Sequence, residues 1–225
     1  MTQLRLIIVL AGAAVLAATL VAASLLSAGE AKTSTPAPAA SGLFAGVPQD
    51  GLAVGDPDAP VTLVEYADPQ CPYCAEWAVR TMPALVEDYV RTGQLRIVFH
   101  GLAFLGPDSD KAVRAAIAAS VDDRLWNMVD GFYRSQGSEN SGWVTDDLID
   151  QIAAQAGLDG GDLRDRGDES WVDEELSRAN AAAQSAGVQG TPSFELGPTG
   201  GKLELVELSS LDPEGLTPLI DDLLE

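Results

Sequence analysis

The chain has 225 residues, with 34 acidic side chains against 13 basic ones and a net charge of −21. So negative a surface repels phosphate backbones and anionic lipid headgroups, so nucleic acid is excluded as a partner and an anionic membrane surface is not expected to bind the domain. The acids are spread along the chain, which reads as a solvated surface; with only Lys32, Lys111 and Lys202 as lysines, adaptation to high salt is a second reading.

Residues 1–29 read as an N-terminal signal-anchor or signal peptide. From Leu6 to Ala28 the only polar side chains are Thr19, Ser24 and Ser27. That length suits a membrane-spanning helix of about 20 residues better than a secretory signal, whose apolar core is about 7–15. Gly29 and Ala31 nevertheless offer a small-x-small cleavage pattern, so cleavage stays open. On either reading Arg5 stays inside and the chain that follows emerges outside the cytosol. Residues 30–50, rich in Pro, Ala, Ser and Thr, read as a flexible linker. Residues 51–225 are long enough for one well-cored domain.

Within that domain "VTLVEY" (61–66) reads as a buried strand. A helix is expected from about Pro72 to Thr92, kinked at Pro83 and stopped by Gly93. "LRIVFH" (95–100) reads as a second buried strand, completing a βαβ unit with parallel pairing. Residues 106–187 read as a helical insert. Apolar stripes run through Val113, Ile117 and Val121, then Leu125, Val129 and Phe132, then Leu148, Ile149, Ile152 and Ala156, with a stop at Gly157-Leu158. A last helix from Ser170 places Val172, Leu176, Ala179 and Ala183 on one face and ends at Gly187-Val188. "SFEL" (193–196) and "KLELVEL" (202–208) read as a β-hairpin. A closing helix carries Leu216, Leu219, Ile220 and Leu223 on its apolar side. The class is α/β with a mixed central sheet.

The only cysteines, Cys71 and Cys74, lie in "DPQCPYCAEW". A structural zinc site needs about four ligands, and this chain adds only His100, which reads as structural or surface. As a staple the pair is poorly placed, because a disulfide across so short a loop restricts the unfolded chain little. The third reading, which the context favours, is a redox-active pair. Cys71 follows a strand and opens a helix with Pro72 at its first position. Unpaired backbone N–H groups and the helix dipole there favour a thiolate. Asp68 and Glu76, both close in sequence, are expected to work against it. Cys74, one turn inside, is placed to resolve a mixed disulfide.

"GDPDAPVTLVEYADPQCPYC" (55–74), the helical insert and "GVQGTPSF" (187–194) together resemble the DsbA-like thioredoxin-fold thiol:disulfide oxidoreductases. The resemblance spans about residues 50–225. It implies a thioredoxin fold with an inserted helical subdomain and a redox-active Cys71–Cys74 disulfide in place of any bound cofactor or metal. It also implies a cis Pro192 facing the disulfide, with the Thr191 backbone pairing to the bound substrate chain beside Pro72 and Tyr73. Glu65 would be a buried acid assisting proton transfer at the inner cysteine; a strand-end acid reaching solvent is the alternative. Tyr73 stands where the strongly oxidising members carry histidine, so a less oxidising pair is expected. The partners implied are unfolded or folding secreted proteins, with a membrane quinone-linked disulfide oxidase as reoxidant. A reductase or isomerase resting as dithiol, and a non-enzymatic partner-binding domain, are the alternatives.

Overall fold

The computed structural model describes residues 42–225. The expected signal-anchor or signal peptide and most of the linker fall outside those residues. Among the described residues no helix is long and apolar enough to cross a membrane.

Six strands form one sheet: β1 (Gln49–Asp50), β2 (Ala53–Val54), β3 (Val61–Ala67), β4 (Leu95–Gly101), β5 (Ser193–Pro198) and β6 (Glu204–Val206). Their order is β1-β2-β4-β3-β5-β6. β3 pairs in parallel with β4 and antiparallel with β5, so the sheet is mixed. Every residue of β3 is buried, which is why it reads as a continuous apolar run instead of alternating. One face of the sheet, through Leu63, Ile97, Phe99 and Phe194, joins the main core. The other, through Val64 and Tyr66, is covered by Ala179 and Ala183. Those alanines belong to the helix Ser170–Ala186, designated α7 below.

The helix expected over 72–92 is three pieces. α1 spans Pro72–Arg80, α2 spans Met82–Leu85, and Val86–Val90 is a widened turn closed by Arg91 N–H on the Val86 carbonyl at 2.9 Å. Pro83 has no N–H for the Val79 carbonyl and its ring crowds it, so α1 ends before it. The Thr81 hydroxyl at the break donates to the Leu211 carbonyl instead.

The insert comprises α3 (Pro107–Ala118), α4 (Leu125–Arg134), α5 (Asp146–Ala156), α6 (Gly160–Gly167) and α7 (Ser170–Ala186). α5 and α7 both end on a left-handed glycine. Leu158 N–H meets the Ala153 carbonyl at 2.8 Å and Val188 N–H meets that of Ala183 at 2.9 Å, so otherwise orphaned carbonyls are satisfied. α6, begun by Asp159 and two glycines, has little helical signature, and one buried leucine, Leu163, holds it down.

Several expectations are corrected. α3 gives way to a 3-10 turn after Ala118, which swings Val121 off the apolar stripe and leaves it 64% exposed. The closing helix, α8 (Thr217–Leu224), buries Ile220 against the core, with Leu216 buried just before its first turn, but leaves Leu223 exposed. β6 is shorter than the expected strand. The linker reading fails from Phe44 onward: Phe44 is buried with its ring 5.6 Å from that of Trp126, Val47 is buried, and β1 and β2 extend the sheet. Arg91 fastens this segment through the carbonyls of Leu43 and Ala45.

Phe44 therefore belongs to the core. Phe44→Ala is expected to lower the unfolding free energy by about 3–4 kcal/mol in urea titration, whereas a dispensable linker residue would change it by less than about 0.5 kcal/mol.

Candidate active site

Cys71 is the residue that caps α1. Its backbone is extended, and its sulfur accepts the N–H of Cys74 at 3.4 Å, the place a serine or aspartate oxygen takes at an ordinary helix start. Pro72 fills the first helical position, where a missing N–H costs nothing. The Cys71 thiol lies 3.2 Å from the Thr191 carbonyl, to which it donates. The Thr191–Pro192 peptide bond is cis. The structure thus brings Cys71, Cys74, Pro72, Tyr73, Thr191 and Pro192 to one end of the sheet. Trp77, one turn further along α1, packs its ring 4.7 Å from and tilted against that of Phe194, two residues past Pro192, and so joins the two halves.

Both cysteines carry free thiols, and Cys71 is only 4% exposed. The Cys71 thiol is drawn down from an ordinary 9.0 to about 6. The hydrogen bond from the Cys74 thiol contributes most; burial opposes it; the Thr191 side chain and the backbone N–H groups of Cys74 and Tyr73 add to it. The neighbouring thiol therefore matters more than the backbone donors that the sequence suggests. Cys74 moves the opposite way, pushed well up by burial first, then by its bond to Cys71 and by the charge on that sulfur. The arrangement can hold a nucleophilic thiolate outside and an un-ionised thiol inside.

Asp68 and Glu76 do not oppose the thiolate as expected, since neither is among the groups acting on Cys71. Glu76 is paired with Arg80 at 2.9 Å. Asp68 is fully buried and accepts four hydrogen bonds: from Gln70 N–H and the Ser109 hydroxyl on one oxygen, and from the Phe104 and Leu105 N–H groups on the other. Its charge is spent on shaping the loop. Gln70 is buried too and holds Ser109 and Asn140, while Gln136 donates to the carbonyls of Pro69 and Cys71. The insert residues Ser109, Gln136 and Asn140 had no motif to mark them, because each works through contacts remote in sequence.

Glu65 lies within β3, 1% exposed, so the solvent-reaching alternative is excluded. Its carboxyl oxygens have no hydrogen-bond partner among the described residues, and burial pushes its pKa up to about 8. Its negative charge also helps raise Cys74. His100 is turned elsewhere, stacked on the Tyr66 ring at 5.2 Å, with burial lowering its pKa. Among the described residues no cluster of histidine, cysteine and acids is arranged to hold a metal.

Two measurements check this electrostatic account. Iodoacetamide labelling of Cys71 in the reduced chain should follow a midpoint near pH 6, with Cys74 unlabelled throughout. A midpoint at that of a free cysteine, about 8.5, would refute it. Glu65 binds its proton more tightly folded than unfolded, so the ionisation penalty of its burial is absent below about pH 4.5 and grows progressively up to about pH 8. The wild type should lose up to about 5 kcal/mol across that window, and Glu65→Gln should abolish the loss.

The sequence profile of the family described as thioredoxin matches residues 48–222. A probable disulfide bond formation protein D of Bacillus cereus is 32% identical over 63% of this chain and 67% of its own length. Among solved structures, oxidised BdbD from Bacillus subtilis superposes with a TM-score of 0.67 at 22% identity, covering 79% of this chain and 97% of that one. Wolbachia pipientis alpha-DsbA1 follows at 0.66 and 22% identity, covering 76% and 89%. With the inserted helices between β4 and β5 and the Cys-Pro-Tyr-Cys turn at the tip of α1, the chain belongs to the DsbA-like, thioredoxin-fold thiol:disulfide oxidoreductases.

Proposed function

We propose that this protein oxidises cysteine pairs in unfolded or folding secreted proteins, outside the cytosol, by passing on a Cys71–Cys74 disulfide. The observation that carries this is the Cys71 sulfur: it caps a helix, is stabilised as an anion with a pKa near 6, and lies beside the Thr191 carbonyl and Pro192. A substrate thiolate attacks Cys71, the Cys71–Cys74 bond breaks, and Cys74 leaves with the electron pair. Glu65, protonated at neutral pH, supplies the proton that Cys74 needs in its buried position. A second substrate thiolate then attacks the substrate sulfur of the mixed disulfide. The substrate departs oxidised and Cys71 departs as a stable thiolate.

That stability sets the direction. Whatever favours the anion favours the dithiol over the disulfide, which makes the disulfide a better oxidant. Substrate docks as an extended chain on the Thr191 backbone, against Tyr73 at 62% and Phe104 at 57% exposure. The exchange uses the cysteine pair itself and no bound small-molecule cofactor. A membrane quinone-linked disulfide oxidase is the proposed reoxidant, and residues 1–29 are the proposed anchor or export signal that places the domain beside it.

Cys71→Ser should abolish disulfide transfer to a reduced, unfolded test protein, and Cys74→Ser should accumulate mixed disulfides with it on non-reducing gels. Equilibration with glutathione, followed by Trp77 fluorescence, should give a potential clearly above thioredoxin's value of about −270 mV. A potential at or below that value would make the protein a reductase.

A further inference from the structure

Glu65 shares a small cavity with two groups of α4, Tyr133 and Asp130, between β3, α1 and α4. The cavity has room for about one water molecule. Phe44 and Trp126 form part of its otherwise apolar wall. The Tyr133 side chain is 4% exposed, and its hydroxyl, like both oxygens of Glu65, has no hydrogen-bond partner among the described residues. Burying a hydroxyl unpaired costs about 1–3 kcal/mol, a cost that phenylalanine would avoid while filling the same space. Asp130 stands at the outer end, with a 19% exposed side chain paired to Arg134 at 2.8 Å.

The other neighbours of Glu65 offer its carboxylate little help. The strands on either side place Phe99 and Phe194 opposite it. From α1 come the sulfurs of Cys74 and, at the tip, Cys71; from the preceding loop comes Asp68, whose charge reaches the Tyr133 ring together with those of Cys74, Glu65 and Cys71. No lysine or arginine is among the described residues lining the cavity. A Glu65 that has given up its proton is left as an anion in an apolar pocket, and the Tyr133 O–H is the unused donor facing that pocket.

We propose, building on the exchange chemistry assigned to Cys71 and Cys74, that Tyr133 is a positioning residue for Glu65: its hydroxyl donates to the Glu65 carboxylate, directly or through one water in their shared cavity, whenever the proton of that acid is on Cys74. When the Cys71–Cys74 bond breaks, the electron pair goes to the Cys74 sulfur and the Glu65 proton follows it. The negative charge passes to the carboxylate, where Tyr133 meets it. In the reverse step the carboxylate takes the Cys74 proton as that sulfur attacks Cys71 in a mixed disulfide.

Mixing the reduced chain with oxidised glutathione separates the steps. A second-order step forms the mixed disulfide at Cys71, and a first-order step follows in which Cys74 displaces glutathione. The second-order step serves as the internal reference, and the first-order rate should rise with pH as Glu65 ionises. Tyr133→Phe should move that midpoint upward by about one pH unit, slow the first-order step roughly tenfold below it, and leave the melting temperature unchanged or raised. Glu65→Gln should remove the midpoint, and Tyr133→Phe should add nothing in that background. A midpoint within about 0.2 units of wild type, an equal slowing in the Glu65→Gln background, or misfolding or a melting temperature lowered by several degrees in Tyr133→Phe would each overturn the proposal. A wild-type chain that shows no first-order release at all would instead overturn the exchange chemistry.

Discussion

A sulfur that caps a helix is the constraint from which the rest of this structure follows. The start of α1 has N–H groups without intrahelical partners, and Cys71 answers them best as an anion. Forming a disulfide withdraws that anion, so the helix start is better satisfied in the dithiol form. The energy difference between the two redox states thus comes first from the hydrogen bond that the neighbouring thiol offers, with the capping N–H groups adding to it. Cys74 can offer it only because burial keeps its own proton in place.

Such a cap needs a loop that does not move, and the helical insert holds it. Asp68 gathers donors from its own loop, from the chain after β4 and from α3, while Gln136 holds two carbonyls on either side of Gln70. Asp68, Gln70 and Ser109 are buried and Gln136 is half-buried, and each has a partner, which is the condition under which a polar network rigidifies its surroundings. The insert therefore does more than enlarge the domain: it is the wall against which the reactive turn is set.

Much of this was legible in the sequence. β3 and β4 are largely apolar, β-branched runs bounded by proline and glycine, and the helices that end on Gly157 and Gly187 carry their own stop signals. The reactive pair was marked by its spacing and by Pro72. What escaped notice did so for identifiable reasons. Two-residue strands such as β1 and β2 have no period to detect, and Phe44 sits alone in a composition that reads as linker. Asp68 looked like a charge opposing the thiolate because sequence gives proximity but not the donors that neutralise it. Tyr133 carried no signal in the sequence, since nothing in a helical stripe reveals that a hydroxyl lacks a partner.

The four hydrogen bonds on Asp68 have one more consequence. An aspartyl–prolyl linkage is a weak point of any polypeptide in acid, because the aspartate side chain can turn on its own carbonyl carbon and sever the chain before proline. Asp68-Pro69 is such a linkage, immediately upstream of the reactive turn. With both of its oxygens held by other donors, the side chain is kept from that attack. Native folding therefore guards a bond whose scission would part both sulfurs from the strand that carries Glu65.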